Sequence, residues 1–78
     1  MTSKMKIEDG NKIWRNTKGK RHRTDGPAVE WADGTKAWYL NGKLHRTDGP
    51  AIEWANGDKS WYLNGEELTE DEFNRRKK

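Results

Sequence analysis

The sequence predicts a small all-β domain: a single antiparallel β-meander of about six strands, built from tandem hairpin repeats and followed by a short C-terminal helix. Three observations carry that expectation. The heptapeptide His-Arg-Thr-Asp-Gly-Pro-Ala stands at His22–Ala28 and again at His45–Ala51. Asp-Gly and Asn-Gly pairs, which tight hairpin turns favour, punctuate stretches of alternating apolar and polar residues. From Leu68 onward the alternation gives way to a helix-capping pattern.

Catalytic sites are normally single, so a duplicated polar motif points first to architecture. Residues 22–44 and 45–67 are identical at seventeen of 23 positions, and Val29/Ile52 and Asp33/Asn56 are conservative changes. A degenerate copy over 5–21 keeps the Asp9-Gly10 turn and Trp14, with one extra residue before Gly19. The expected organisation is therefore one domain: a degenerate repeat 5–21, repeats 22–44 and 45–68, and a tail helix within 69–77.

Within each unit Pro27–Ala32 and Pro50–Ala55 read as outgoing strands. They end at Asp33-Gly34 and Asn56-Gly57, where a two-residue turn needs positive φ at both positions. Lys36–Leu40 and Lys59–Leu63 return, stopped by Asn41-Gly42 and Asn64-Gly65. Alternation places Val29, Trp31, Ile52 and Trp54 on one face, with Met5 and Ile7 as their counterparts in the first unit. Trp14, Trp38, Leu40, Trp61 and Leu63 are assigned to the same face. The opposite face receives Ala28, Glu30, Ala51, Glu53, Tyr39 and Tyr62. In the tail, Thr69 and Glu72 have capping-box spacing and Asp71 favours a helix N-terminus, which predicts a helix from Glu70 to Arg76 with Leu68 and Phe73 as its apolar contacts.

Composition narrows the function. A chain of 78 residues is near the size where one hydrophobic core barely suffices, and without cysteine neither disulfides nor thiolate metal sites can staple it. No apolar run approaches a membrane span or a signal-peptide core, so a cytoplasmic protein is expected. Charge is segregated. Residues 11–23 carry Lys12, Arg15, Lys18, Lys20, Arg21 and Arg23 with no acid, whereas 24–74 hold eleven acids against four bases and Arg75–Lys78 are all basic.

A 23-residue unit with Trp-Tyr-Leu-Asn-Gly followed by a histidine resembles the MORN repeat, a β-hairpin unit that stacks into a continuous single-layer sheet. Still closer is the resemblance to variant repeats with His-Arg-x-Asp-Gly-Pro-Ala in bacterial and phage proteins. It spans about Ile7 to Leu68; the match to ordinary MORN repeats is looser, because the glycine they place inside the aromatic strand is absent between Trp38 and Asn41. The resemblance implies a bacterial or phage origin, the host cytoplasm if phage-encoded, and a role modulating a larger host machine. It also implies that the heptapeptide returns the chain to the next hairpin. On that view Gly26 and Gly49 supply backbone freedom, Pro27 and Pro50 restrict it, and Asp25 and Asp48 accept bonds from nearby backbone N–H groups.

Metal chemistry is not expected. Equivalent His and Asp residues on successive hairpins sit two strand spacings apart, roughly 9.6 Å, and point the same way instead of converging. Nor does a Ser or Cys nucleophile accompany the His–Asp pairs, so no catalytic residue and no cofactor is assigned. Two binding readings remain. Five tryptophans present on the order of 1,000 Å² of aromatic surface, too much for a two-turn helix to cover. Trp31, Trp38, Trp54, Trp61, Tyr39 and Tyr62 are therefore the candidate protein-binding residues, for a partner or a homodimer. The alternative is nucleic-acid or nucleotide binding through Lys12, Arg15, Lys18, Lys20, Arg21 and Arg23, which interleave cations with Trp14.

Overall fold

Nine short strands and one helix make up the computed structural model, which describes residues 3–76. The strands are β1 (Lys4–Glu8), β2 (Asn11–Arg15), β3 (Val29–Glu30), β4 (Lys36–Ala37), β5 (Tyr39–Leu40), β6 (Lys43–Leu44), β7 (Ile52–Glu53), β8 (Lys59–Leu63) and β9 (Glu66–Leu68), followed by α1 (Glu70–Arg76). Seven of them form one antiparallel sheet in the order β1-β2-β3-β4-β7-β8-β9, and β5 and β6 pair separately. This corrects the single six-stranded meander. The stretch 36–40 meets two different segments of the next unit along one edge: β7 beside Lys36–Ala37, then β6 beside Tyr39–Leu40. The heptapeptide loop lies between those segments in sequence, so the ladder divides at Trp38.

Register decides what each face carries. One row across the large sheet is Ile13, Val29, Ala37, Ile52 and Ser60, each directly opposite the next. Val29 and Ala37 are fully buried and Ile13 and Ile52 nearly so. The neighbouring row, on the other face, alternates in charge: Lys12, Glu30, Lys36, Glu53, Lys59. Opposite charges directly across a strand pair stabilise it, and here every neighbour in the row is of opposite sign.

The turns fall into two kinds. Asp9-Gly10, Asn41-Gly42 and Asn64-Gly65 have positive φ at both positions, as two-residue turns of the mirror-image type require. At Asp33-Gly34 and Asn56-Gly57 only the glycine does, at +96° in each. There Gly34 N–H donates to Trp31 O and Trp31 N–H to Thr35 O, which is a three-residue loop closed by a glycine bulge. Its extra residue corrects the expected two-residue turn and shifts the return strand by one position relative to the outgoing one.

Glu70–Arg76 is helical as the capping pattern indicates. Thr69 N–H donates to Glu72 Oε1 and Glu72 N–H to Thr69 Oγ1, completing the capping box. Leu68 and Phe73 are buried beneath it. Lys77, included in the predicted tail helix, lies outside the described residues. No helix among the described residues is long and apolar enough to cross a membrane.

Candidate binding face

The shift of one residue at the bulge has a large effect, because side chains alternate faces with every position. Trp31 and Trp54 follow Val29 and Ile52 and stay on the Val29 face, joined through Ala37 and Ser60 by Tyr39 and Tyr62. Trp14, Trp38 and Trp61 fall on the charge-ladder face with Ala28 and Ala51. The tryptophan-rich face predicted from alternation is thus split between two sides, and the two tyrosines join Trp31 and Trp54 instead of opposing them.

On the charge-ladder face the heptapeptide closes over the tryptophans. Arg23 lies 3.9 Å from the Trp14 ring centre and Arg46 lies 3.8 Å from that of Trp38. Each guanidinium is then tied down on its edges. Arg46 Nε donates to Asp48 at 2.7 Å, and its Nη1 donates to Pro50 O and Glu53 Oε2, both at 3.1 Å. Arg23 repeats this set with Asp25, Pro27 O and Glu30. His22 Nδ1 accepts from Asn41 N–H at 3.0 Å and His45 Nδ1 from Asn64 N–H at 2.9 Å, so each histidine holds the next Asn-Gly turn. Each aspartate of the heptapeptide thus receives its own repeat's arginine. The glycines serve that arrangement too: a Cβ on Gly26 would sit 2.9 Å from Arg23 Cζ, and one on Gly49 3.0 Å from Arg46 Cζ. Neither of these glycines has positive φ, so closeness of the arginine and not backbone freedom explains them.

On the Val29 face, among the described residues, no arginine stacks on Trp31 or Trp54. Trp54 is 46% exposed, and its Nε1 donates a long bond to Ser60 Oγ at 3.4 Å. Trp31, Tyr39 and Tyr62 are half-buried, and Arg21 lies over the Tyr39 ring at 5.5 Å. Equivalent residues of the two repeats recur two strands apart, roughly 9.6 Å. This aromatic strip is the candidate site, and it keeps four of the six residues expected from the sequence. Trp38, under Arg46, belongs to the other face, as does Trp61.

The basic stretch is less uniform in space than in sequence. Arg23 is committed to Trp14, and Arg15 pairs with Glu8. That bond holds the Glu8 carboxyl below the usual range and raises the Arg15 guanidinium. Lys12 belongs to the charge ladder. Lys18, Lys20 and Arg21 are exposed, on a turn organised by the buried Asn16, whose Oδ1 accepts the Lys18 and Lys20 N–H groups. Sequence reading overlooked Asn16. It likewise overlooked Asn11 and Thr35, whose side-chain oxygens accept Ala32 N–H at 2.8 Å and Ala55 N–H at 3.1 Å. The available signal was a small polar residue opening each return strand. Among the described residues no three His, Cys, Asp or Glu side chains come together as a metal site would require.

No protein-family model, no curated protein and no solved structure matches the chain.

Proposed function

We propose that the chain is a non-catalytic, cytoplasmic protein-interaction module that binds its partner through the strip of Trp31, Trp54, Tyr39 and Tyr62. The observation that carries this reading is the asymmetry of cover. Two tryptophans of one face lie under arginines, while on the other Trp54 is left nearly half exposed beside three further aromatic side chains. Clustered aromatic residues supply most of the energy at protein interfaces, typically at least about 2 kcal/mol for a central one. Trp54→Ala should therefore weaken partner binding by roughly 30-fold or more while shifting the unfolding midpoint little. Affinity capture with wild-type and Trp54→Ala baits, followed by calorimetry on the protein recovered, tests this. Equal retention by both baits would remove the strip from the interface.

A second reading, nucleic-acid or nucleotide binding, is favoured by Arg21 on Tyr39: it joins the exposed Lys18 and Lys20 to the edge of the same strip. Phosphate contact beside an aromatic platform is the combination single strands need. Reversing Lys18, Lys20 and Arg21 to Glu should then abolish an oligonucleotide-induced change in tryptophan fluorescence that also weakens steeply with salt. No change at low salt would exclude it.

A further inference from the structure

The first strand inverts the pattern that the later repeats keep. Ile7 opposes Lys12 as Glu30 opposes Lys36 and Glu53 opposes Lys59, so an apolar residue stands where the charge ladder has an acid. Lys6 opposes Ile13 as Val29 opposes Ala37 and Ile52 opposes Ser60, so the buried row ends on an exposed lysine. The exchange leaves Met5 and Ile7 45% and 61% exposed. Together with Trp54 they are the exposed large apolar side chains among the described residues.

β1 is also an outer strand of the sheet, pairing among the described residues with β2 alone. The direction of its backbone groups follows from the equivalent strands. Trp14 N–H donates to Ala28 O and Trp38 N–H to Ala51 O. So β3 and β7 receive the preceding strand through Ala28 and Ala51 and, two positions on, through Glu30 and Glu53. Ile7 holds the place of Glu30 and Glu53, so its N–H and C=O point outward, with those of Met5 two positions away. Such an edge is a template for another strand, and lysines on it exclude most pairings. A second β1 running antiparallel has to align residues of the same parity, because only they point their backbone groups outward. Centring that alignment on Met5 sets Lys4 against Lys6, centring it on Lys6 sets Lys6 against itself, and centring it on Glu8 sets Glu8 against itself. Like charges directly opposite destabilise a strand pair. Centring on Ile7 sets Lys6 against Glu8 twice, brings the two Ile7 side chains together and leaves each Met5 on the diagonal. Glu8 already holds Arg15, so each carboxylate then lies between two cations.

We propose that the chain forms a symmetric dimer in which two copies of β1 pair antiparallel about Ile7, joining two seven-stranded sheets into one. The contact is isologous: a two-fold axis perpendicular to the sheet relates the copies and keeps each face continuous. It occupies the β1 edge of both molecules, so assembly stops at two. The opposite end of the sheet offers less, because β9 has three residues and leads at once into the tail helix. The dimer uses the sheet edge and stands independently of the aromatic strip.

Analytical ultracentrifugation of the whole chain from about 10 µM to about 1 mM tests this, a range suited to a small interface. The mass should rise from 9.1 kDa to twice that value and no further. Lys6→Glu and Glu8→Lys each place like charges across the contact. Each variant alone should stay monomeric, with a circular dichroism spectrum like the wild type's. Mixed in equal amounts they should form a heterodimer, because every charge pair across the contact is again unlike. The chain has no cysteine, so Ile7→Cys and Met5→Cys report the register by disulfide formation, whatever the charge variants do. Ile7→Cys should cross-link on mild oxidation, its two Cα atoms being about 5.5 Å apart. Met5→Cys should not, because the two copies of that position are offset by four residues, roughly 14 Å along the strand. A wild-type chain that stays monomeric at the highest concentration would overturn the proposal. So would growth beyond the dimer, a mixture of folded charge variants that fails to associate, or cross-linking of Met5→Cys as fast as that of Ile7→Cys.

Discussion

Arg46 makes four interactions with one side chain: a stack on Trp38 and bonds to Asp48, Pro50 O and Glu53. A planar guanidinium can do all of this at once and an ammonium cannot. Arg46→Ala should lower the free energy of unfolding by about 2–3 kcal/mol, from the stack and the charge-assisted bonds together. Arg46→Lys should recover little of that loss in urea denaturation; near-complete recovery would mean that charge alone matters. Gly34 and Thr35 offer a second comparison. Gly34 has φ at +96° with open space around it, so Gly34→Ala costs backbone strain only, about 1–2 kcal/mol. Thr35 is buried and its hydroxyl accepts Ala55 N–H, so Thr35→Val should cost about 1–3 kcal/mol. The two are expected to be comparable by thermal denaturation, although the sequence motif alone points to the glycine. The residue types of the heptapeptide were legible as a loop device. Which atom each one serves was not, because Trp14, Trp38 and the Asn-Gly turns come from distant positions in the chain.

At the scale of elements, the tail helix is short and depends on its cap. Thr69→Ala removes one half of the reciprocal pair and should cost about 1 kcal/mol. The Glu72 carboxyl is held below its usual range, first by the Thr69 backbone N–H and then by the Thr69 side chain. Asp33 is lowered in the same way, chiefly by the Thr35 backbone N–H. A group whose folded pKa is depressed contributes stability that is fully present above the ordinary carboxylate range and is lost as pH falls through the folded value. Acid titration followed at 222 nm should therefore show helix loss that sets in as pH falls through the ordinary glutamate range and continues below it. Thr69→Ala should flatten that dependence; an unchanged titration would show that the cap does not govern it. This helix was legible because capping is local. The hairpin registers were not, since one added residue in the Trp31–Thr35 loop reverses the facing of every later position.

The whole molecule is a slab of 35 × 29 × 17 Å with a thin core, in which Phe73 and Val29 are the largest fully buried side chains. A domain of this size rarely has more than about 3–5 kcal/mol to spare. Phe73→Ala, at about 3–5 kcal/mol, should consume most of it and leave a largely unfolded chain at 25 °C, seen as loss of the near-ultraviolet dichroism. Persistence of the native signal would show that the repeats stand without the helix.

Turn positions and the capped helix follow from short-range chemistry, and the sequence by itself determined them: Asn-Gly pairs, alternation and a Thr-x-x-Glu box act within a few residues. Tertiary structure alone decided that the ladder divides at Trp38, that two tryptophans lie under arginines, and that Trp54 stands open beside Trp31, Tyr39 and Tyr62. These outcomes depend on which residues face one another across strands, and strand register is a property of pairs of segments that no single segment specifies.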